Sequence, residues 1–144
     1  MYASNVIAII SSEDSYINHL LKNNNIFTAN EFIDSLKMAF KDIYFGIYRY
    51  RNKSKKELDD FKEYAAVLDI KCIAFQYATH KSEKDCIILN LLDSIKYNKP
   101  ANKDFLNNSS IIEAYLKTYE QLKIYYDKDE LDNLNSLINS TNLI

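Results

Sequence analysis

The chain has 144 residues, of which 47% are hydrophobic and 26% charged, an ordinary globular composition with enough length to bury a core without a disulfide or metal staple. Its apolar runs are far shorter than the ~20 residues of a membrane span, its start lacks the pattern of a secretory signal, and its formal charge of −2 argues against nucleic-acid binding by the whole domain. Two cysteines, Cys72 and Cys86, are too few for a disulfide framework and lack the spacing of a zinc site. We therefore expect a cytoplasmic protein with reduced cysteines and no membrane contact.

Residues that usually interrupt helices and strands are almost missing from the chain, which has one glycine and one proline against sixteen asparagines. Because asparagine adopts the left-handed conformation more readily than most non-glycine residues, we expect asparagines to end many of the elements. The single glycine, Gly46, falls within a predicted helix, where it costs about 1 kcal/mol relative to alanine. Close approach of another helix, or a bend, would offset that cost.

The N-terminal part of the chain predicts two short elements. The run VIAII at residues 6–10 fits either a helix or a strand. The stretch SEDSYINHLLK, residues 12–22, has the pattern of a short helix that ends at the three asparagines of residues 23–25.

Five later segments carry the spacing of a helix start, in which a side-chain acceptor is followed three residues later by a carboxylate. They are Thr28 with Glu31, Ser54 with Glu57, Ser82 with Asp85, Ser110 with Glu113, and Asp127 with Glu130. Each stands before an apolar pattern of helical period, so the sequence predicts a helix after each of them.

The two longest predicted helices are the first two of these. The helix that starts at residue 28 has an apolar stripe from Phe32 to Tyr50 and is predicted to reach about residue 51. The next, at about 55–79, becomes apolar nearly all round over residues 64–78, as in a helix that is buried among others. No segment other than residues 6–10 looks like a strand.

The three remaining starts predict a helix that stops at Asn98 and Pro100, a helix to about Tyr126, and a short final helix. The connections are short and polar, which favours antiparallel neighbours in a bundle. We therefore predict an all-α fold with a single helical domain over residues 1–144. It would be an antiparallel bundle of about six helices around the central apolar helix at about 55–79.

The sequence shows no constellation of catalytic or metal-ligating residues. The two histidines, His19 and His80, are far apart along the chain, and His80 follows a predicted helix end, where a cation-capable side chain is favourable. The paired carboxylates lack the spacing of a calcium loop, and nothing beside the cysteines marks a reactive thiol. We predict no enzyme activity, no metal and no cofactor.

Acidic clusters with adjacent tyrosines point to a protein partner. Such patches suit a basic protein, because complementary potential speeds the encounter and aromatic rings supply binding energy. The predicted contact residues are Glu57, Asp59, Asp60, Glu63, Tyr125, Tyr126, Asp127, Asp129, Glu130 and Asp132. We predict a small soluble binding or inhibitory protein that occludes its partner, such as an immunity protein or antitoxin that neutralises a basic toxin, for example a nuclease.

Two alternatives stay open. Residues 37–56 hold seven Lys or Arg against one Asp, enough to attract a phosphate chain, so the first alternative is a helical nucleic-acid-binding domain that uses this basic patch. In the predicted helix Arg49 and Arg51 would instead occupy the last turn, where cations suit the dipole. The second alternative is a viral regulator that resembles Bcl-2 proteins, whose layout is a central apolar helix wrapped by amphipathic ones. The Asn-Trp-Gly-Arg motif of that family is absent, and the chain has no tryptophan.

Overall fold

The computed structural model describes residues 6–100 and 109–141, and the chain divides into two compact units. Unit 1 comprises Met1–Tyr48, Ser54–Phe75 and Asp127–Ile144, and unit 2 comprises Arg49–Lys53 and Gln76–Tyr126. That residues 1–144 form a single domain stays a prediction.

Strands and helices alternate in the first half of the chain, and helices follow in the second. In chain order the elements are β1 (Ile7–Ser11), α1 (Tyr16–Lys22), α2 (Ile26–Ala39), β2 (Asp42–Tyr48), α3 (Lys55–Val67), β3 (Cys72–Phe75), α4 (Cys86–Tyr97), α5 (Ser109–Ile112), α6 (Tyr119–Tyr125) and α7 (Lys128–Ser140). The three strands form a parallel sheet in the order β1-β2-β3. In its register Ile10 is paired with Phe45, and Phe45 with Cys72.

The prediction of an all-α helical bundle is wrong, because each of the two longest predicted helices contains a strand. The helix predicted over residues 28–51 is α2 followed by β2, and the central apolar helix at about 55–79 is α3 followed by β3. Strands of a parallel sheet are often apolar at nearly every position, and such a run fits a helical stripe as well as any other period. The mixed α/β fold also removes the layout on which the Bcl-2-like alternative rested.

Asparagine does replace glycine at element ends, as expected. Asn24, after α1, and Asn98, after α4, have φ of 54° and 49°, in the left-handed region that glycine usually fills. Asp69 has φ 54° in the same way after α3, and Ile70 N donates to the carbonyl of Ala65 at 2.9 Å. This turn ends α3 and starts the chain toward β3 without a glycine.

The core of unit 1 lies between the sheet and helices α1, α2 and α3. Phe45 of β2 and Phe61 of α3 are buried, with ring centroids 4.7 Å apart. The other buried members of this cluster are Ile10, Ile17, Leu20, Ala29, Ile33, Ile47, Leu58, Tyr64, Ala65 and Ile70. Burying one large apolar side chain contributes roughly 1.5–3 kcal/mol, so this cluster fixes which side of α3 faces inward.

Helix α7 packs on the edge strand β3. Phe45 N donates to the carbonyl of Lys71 at 2.9 Å, so the next carbonyl, that of Cys72, points to the free side of the strand. Asn133 Nδ2 of α7 donates to this carbonyl at 2.9 Å. The amide therefore satisfies a backbone group that a further strand would otherwise pair with.

Unit 2 contains α4, α5, α6 and the segments that join them. The helix predicted between the start signal at Ser82 and the stop at Asn98 is confirmed, since a 3₁₀ helix over Glu83–Asp85 leads directly into α4. The helix predicted to reach Tyr126 is interrupted, since α5 ends at Ile112 and α6 begins only after Thr118. Between them, a short parallel bridge pairs Tyr115 with His80.

Candidate functional site

The two acidic clusters predicted from the sequence lie on α3 and α7, and they meet at Lys62. Lys62 Nζ is 2.8 Å from Asp127 Oδ2 and 3.0 Å from Glu130 Oε1. Asp127 is 65 residues from Lys62 along the chain. The contacts hold the first turn of α7 against α3, so that carboxylates from distant parts of the sequence come together within unit 1.

Helix α3 presents its carboxylates to solvent because its other side is in the core. The helix begins at Ser54, whose Oγ accepts a hydrogen bond from Glu57 N at 3.4 Å, and a carboxylate in the first turn suits the positive end of the helix dipole. Phe61 is buried, while Asp59 and Glu63, one turn apart, are exposed. The acidic residues therefore form an outward-facing ridge.

Six of the ten predicted contact residues are exposed, and we call these six the acidic surface. They are Asp59, Asp60, Glu63, Asp127, Asp129 and Asp132, of which Asp60 lies on the side of α3 toward α1, where it lines a small pocket with Asn18 and Lys22. Glu57 is half-buried, and its Oε2 lies 3.2 Å from Lys22 Nζ. Glu130 is only 2% exposed, and its Oε2 accepts a hydrogen bond from Asp127 N at 3.0 Å. Glu130 is therefore not part of the acidic surface, but it contacts Asp127, which is.

The two predicted tyrosines belong to unit 2. Tyr126 is buried, and its hydroxyl accepts a hydrogen bond from Arg49 N at 3.3 Å. Tyr125 is half-buried, with Lys117 Nζ 5.3 Å from its ring centroid. Tyr126 therefore offers no surface to a partner, and Tyr125 only part of one.

The charge of the acidic surface is only partly neutralised. Burial lowers the pKa of Lys62, but hydrogen bonds to Asp127 and Glu130 and their negative charges outweigh it, so that the pKa lies above its ordinary value of 10.5. Within residues 59–63 and 127–132 the cations are Lys62 and Lys128. The surface therefore stays negative at neutral pH.

A second group of ionisable residues, which the sequence analysis missed, surrounds Glu113 in unit 2. Glu113 is buried, and its Oε1 accepts a hydrogen bond from Arg51 N at 3.0 Å and lies 3.4 Å from Arg51 Nε. Lys117, also buried, donates from Nζ to the carbonyl of Glu113 and lies 4.2 Å from the ring centroid of Tyr115. Glu113 was interpreted as part of a helix start at Ser110. The sequence carries no signal for this contact, because Glu113 and Lys117 lie between α5 and α6 and the bond goes to the backbone carbonyl of Glu113.

Burial dominates the electrostatics of this second group. It lowers the pKa of Lys117, against the opposing negative charges of Glu113 and Glu83. It raises the pKa of Tyr115, to which the charges of Glu83 and Glu113 add. Gln76 Nε2 donates to the carbonyl of Glu113 at 3.2 Å. Arg51 and Gln76 belong to two different connecting segments, and their hydrogen bonds to Glu113 hold both segments at the end of α5. Glu113 therefore has a structural role.

The predicted basic patch at residues 37–56 is not one helix surface, because it divides between the two units. Within unit 1, Lys37, Lys41 and Lys71 line a groove of about 510 Å³ at the end of the sheet where β2 and β3 begin. The other lining residues are Phe40, Asp42, Ile43, Tyr44, Leu68, Asp69 and Ile70. A groove of this volume suits a small ligand, and three lysines against two aspartates, Asp42 and Asp69, give its lining a small excess of positive charge.

Among the residues that the structure describes, no helix has both the length and the apolar character needed to cross a membrane. The described ranges likewise hold no group of three or more His, Cys, Asp or Glu side chains placed to bind a metal ion. The expected cytoplasmic location stays a prediction.

Comparison with known proteins gives no match to a family model, to a curated protein or to a solved structure.

Proposed function

We propose that the protein binds a basic protein partner through the acidic surface and occludes it, in the manner of an immunity protein or antitoxin. The observation that carries this proposal is the junction at Lys62, whose contacts with Asp127 and Glu130 hold the start of α7 beside α3, so that exposed carboxylates of both helices lie near it.

The chemistry of the surface suits such a partner. Exposed carboxylates raise the rate of encounter with a positively charged protein and disfavour acidic competitors. An apolar contact is available beside them, because Val67 lies one turn after Glu63 on α3 and is 78% exposed. A partner that places lysines or arginines over the carboxylates and an apolar side chain over Val67 would complement the surface.

The proposal is tested by capturing proteins from an extract of the source cells on the immobilised chain. We expect a basic protein to be retained by the wild type and lost when Asp59, Glu63, Asp129 and Asp132 are all changed to Lys. The matched control reverses two exposed carboxylates of α2, Glu31→Lys with Asp34→Lys, and should retain the same protein. Retention by the fourfold variant, or capture of no basic protein, counts against the proposal.

The groove with Lys37, Lys41 and Lys71 favours a second candidate function, which is binding of nucleic acid. Tyr44 and Phe40 in the same groove offer rings for base stacking. This candidate predicts binding of a labelled single-stranded oligonucleotide that weakens steeply with salt and is lost when the three lysines are changed to Gln. Lys81→Gln with Lys84→Gln, two exposed lysines of unit 2, is the control. Fluorescence anisotropy that shows no binding at low salt removes this candidate.

A further inference from the structure

Helix α4 directs its most apolar side to solvent. Cys86 and Asn90, one turn apart, are buried. Five large aliphatic residues on another side of the helix are each more than half exposed: Ile87 at 53%, Ile88 at 52%, Leu91 at 51%, Leu92 at 55% and Ile95 at 78%. We call these five residues the α4 stripe. Because they are spaced three and four residues apart, they form one continuous face.

An exposed face of this kind is unfavourable for a protein that stays alone. Covering such aliphatic side chains removes apolar surface from water, which favours association, and contiguous apolar patches on soluble proteins mark interaction sites. Scattered exposed residues need no explanation, but five on one helix face do.

We propose that a second copy of this chain covers the α4 stripe, with the two α4 helices packed antiparallel about a twofold axis between Leu91 and Leu92. The stripe is self-complementary in this arrangement. Ile88 faces Ile95 of the second copy, and Leu91 faces Leu92. A twofold interface needs this kind of self-matching surface.

The charges beside the stripe favour the same arrangement. Asp85 and Lys96 are eleven residues apart in the sequence, which is about three helical turns, so they lie on the same flank at opposite ends. In an antiparallel pair the same flanks face each other, which places Lys96 of each copy beside Asp85 of the other, whose Oδ2 also accepts hydrogen bonds from Ser82 N at 2.9 Å and Ser82 Oγ at 2.8 Å. In a parallel pair the two Asp85 side chains would lie at one end of the interface and the two Lys96 side chains at the other, so that like charges would be near each other. The antiparallel orientation also opposes the two helix dipoles.

The oligomeric state of the full chain in solution tests the proposal. Light scattering coupled to size exclusion should show a dimer, and Leu91→Glu or Ile95→Glu should raise its dissociation constant at least about tenfold, since a charge would enter an apolar interface. Ile124→Glu is the control, because Ile124 of α6 is 81% exposed and outside the stripe. Circular dichroism establishes that each variant is folded.

The antiparallel geometry is tested separately. Lys96→Glu should weaken the dimer, and so should Asp85→Asn, which keeps an oxygen that can accept the hydrogen bonds from Ser82. A mixture of Ile88→Cys and Ile95→Cys chains should form a mixed disulfide dimer faster than either chain alone. A monomeric wild type overturns the proposal, whether the stripe is then covered by its own chain or by another protein. A dimer that persists in Leu91→Glu and Ile95→Glu overturns it too.

Discussion

At Gly46 the sheet has no room for a side chain. A Cβ on this residue would lie 2.9 Å from both Cβ and Cγ of Phe75 and 3.0 Å from Cγ2 of Ile9. Glycine within a strand often marks such a close approach. The sequence predicted a close approach at this residue, but between helices, whereas the structure has it between strands.

We predict that Gly46→Ala lowers the free energy of unfolding by about 1–3 kcal/mol, the usual cost of overpacking. Urea unfolding followed by circular dichroism measures this. In a Phe75→Ala background one of the two nearest atoms is gone, so the added methyl should cost less there. An equal cost in both backgrounds would show that the contact with the Phe75 ring is not the cause.

Lys62 is the residue on which the acidic surface depends. Lys62→Met leaves the carboxylate of Glu130 buried without its cation, so we predict a loss of about 1–3 kcal/mol at neutral pH. Because the folded pKa of Lys62 is raised above 10.5, its contribution is fully present below that pH and disappears as the pH rises through the folded value.

The difference between Lys62→Met and wild type, measured by urea unfolding at several pH values, should therefore be constant near neutrality and shrink above about pH 10.5. Lys128→Met, which removes an exposed lysine near the same junction, should leave stability unchanged at every pH. A deficit that persists in strong alkali would mean that packing of the lysine stem, not its charge, is what matters.

The elements differ in how far the sequence predicts them. Helix α7 follows from its start signal, because Asp127 and Glu130 are close in sequence and make the expected contact at 3.0 Å. Strands β2 and β3 could not be read in the same way. Each follows a helix without an intervening glycine or proline, and a strand that is apolar throughout carries no alternation to reveal it.

The hydrogen bond between Asn133 of α7 and the edge strand β3 should contribute to stability. Asn133→Ala removes the donor to the carbonyl of Cys72 and should lower the free energy of unfolding by about 1 kcal/mol. Asn135→Ala, on an exposed position of the same helix, is the matched control. Thermal unfolding monitored by circular dichroism compares the two, and equal melting temperatures would show that the bond to β3 contributes nothing.

The sequence shows which residues of the molecule are acidic, but it does not show which of them the fold brings together in space. The six carboxylates of the acidic surface were predicted because they belong to two acidic clusters of the sequence, and charged residues tend to remain exposed. Their assembly depends on Lys62, which the sequence did not single out, and on α7 packing beside the sheet at long range. Glu130 and Tyr126 were predicted to contact the partner, but both are buried. The spacing of residues along the sequence does not reveal such burial.

The central claim is that the acidic surface binds a basic protein. Titration calorimetry of the captured partner against the wild type and the fourfold Lys variant tests it most directly. The account predicts that the reversal weakens binding at least about tenfold and that added salt weakens wild-type binding, since close charge pairs across an interface and long-range steering both contribute. Equal affinity of the two chains, insensitive to salt, would contradict the claim.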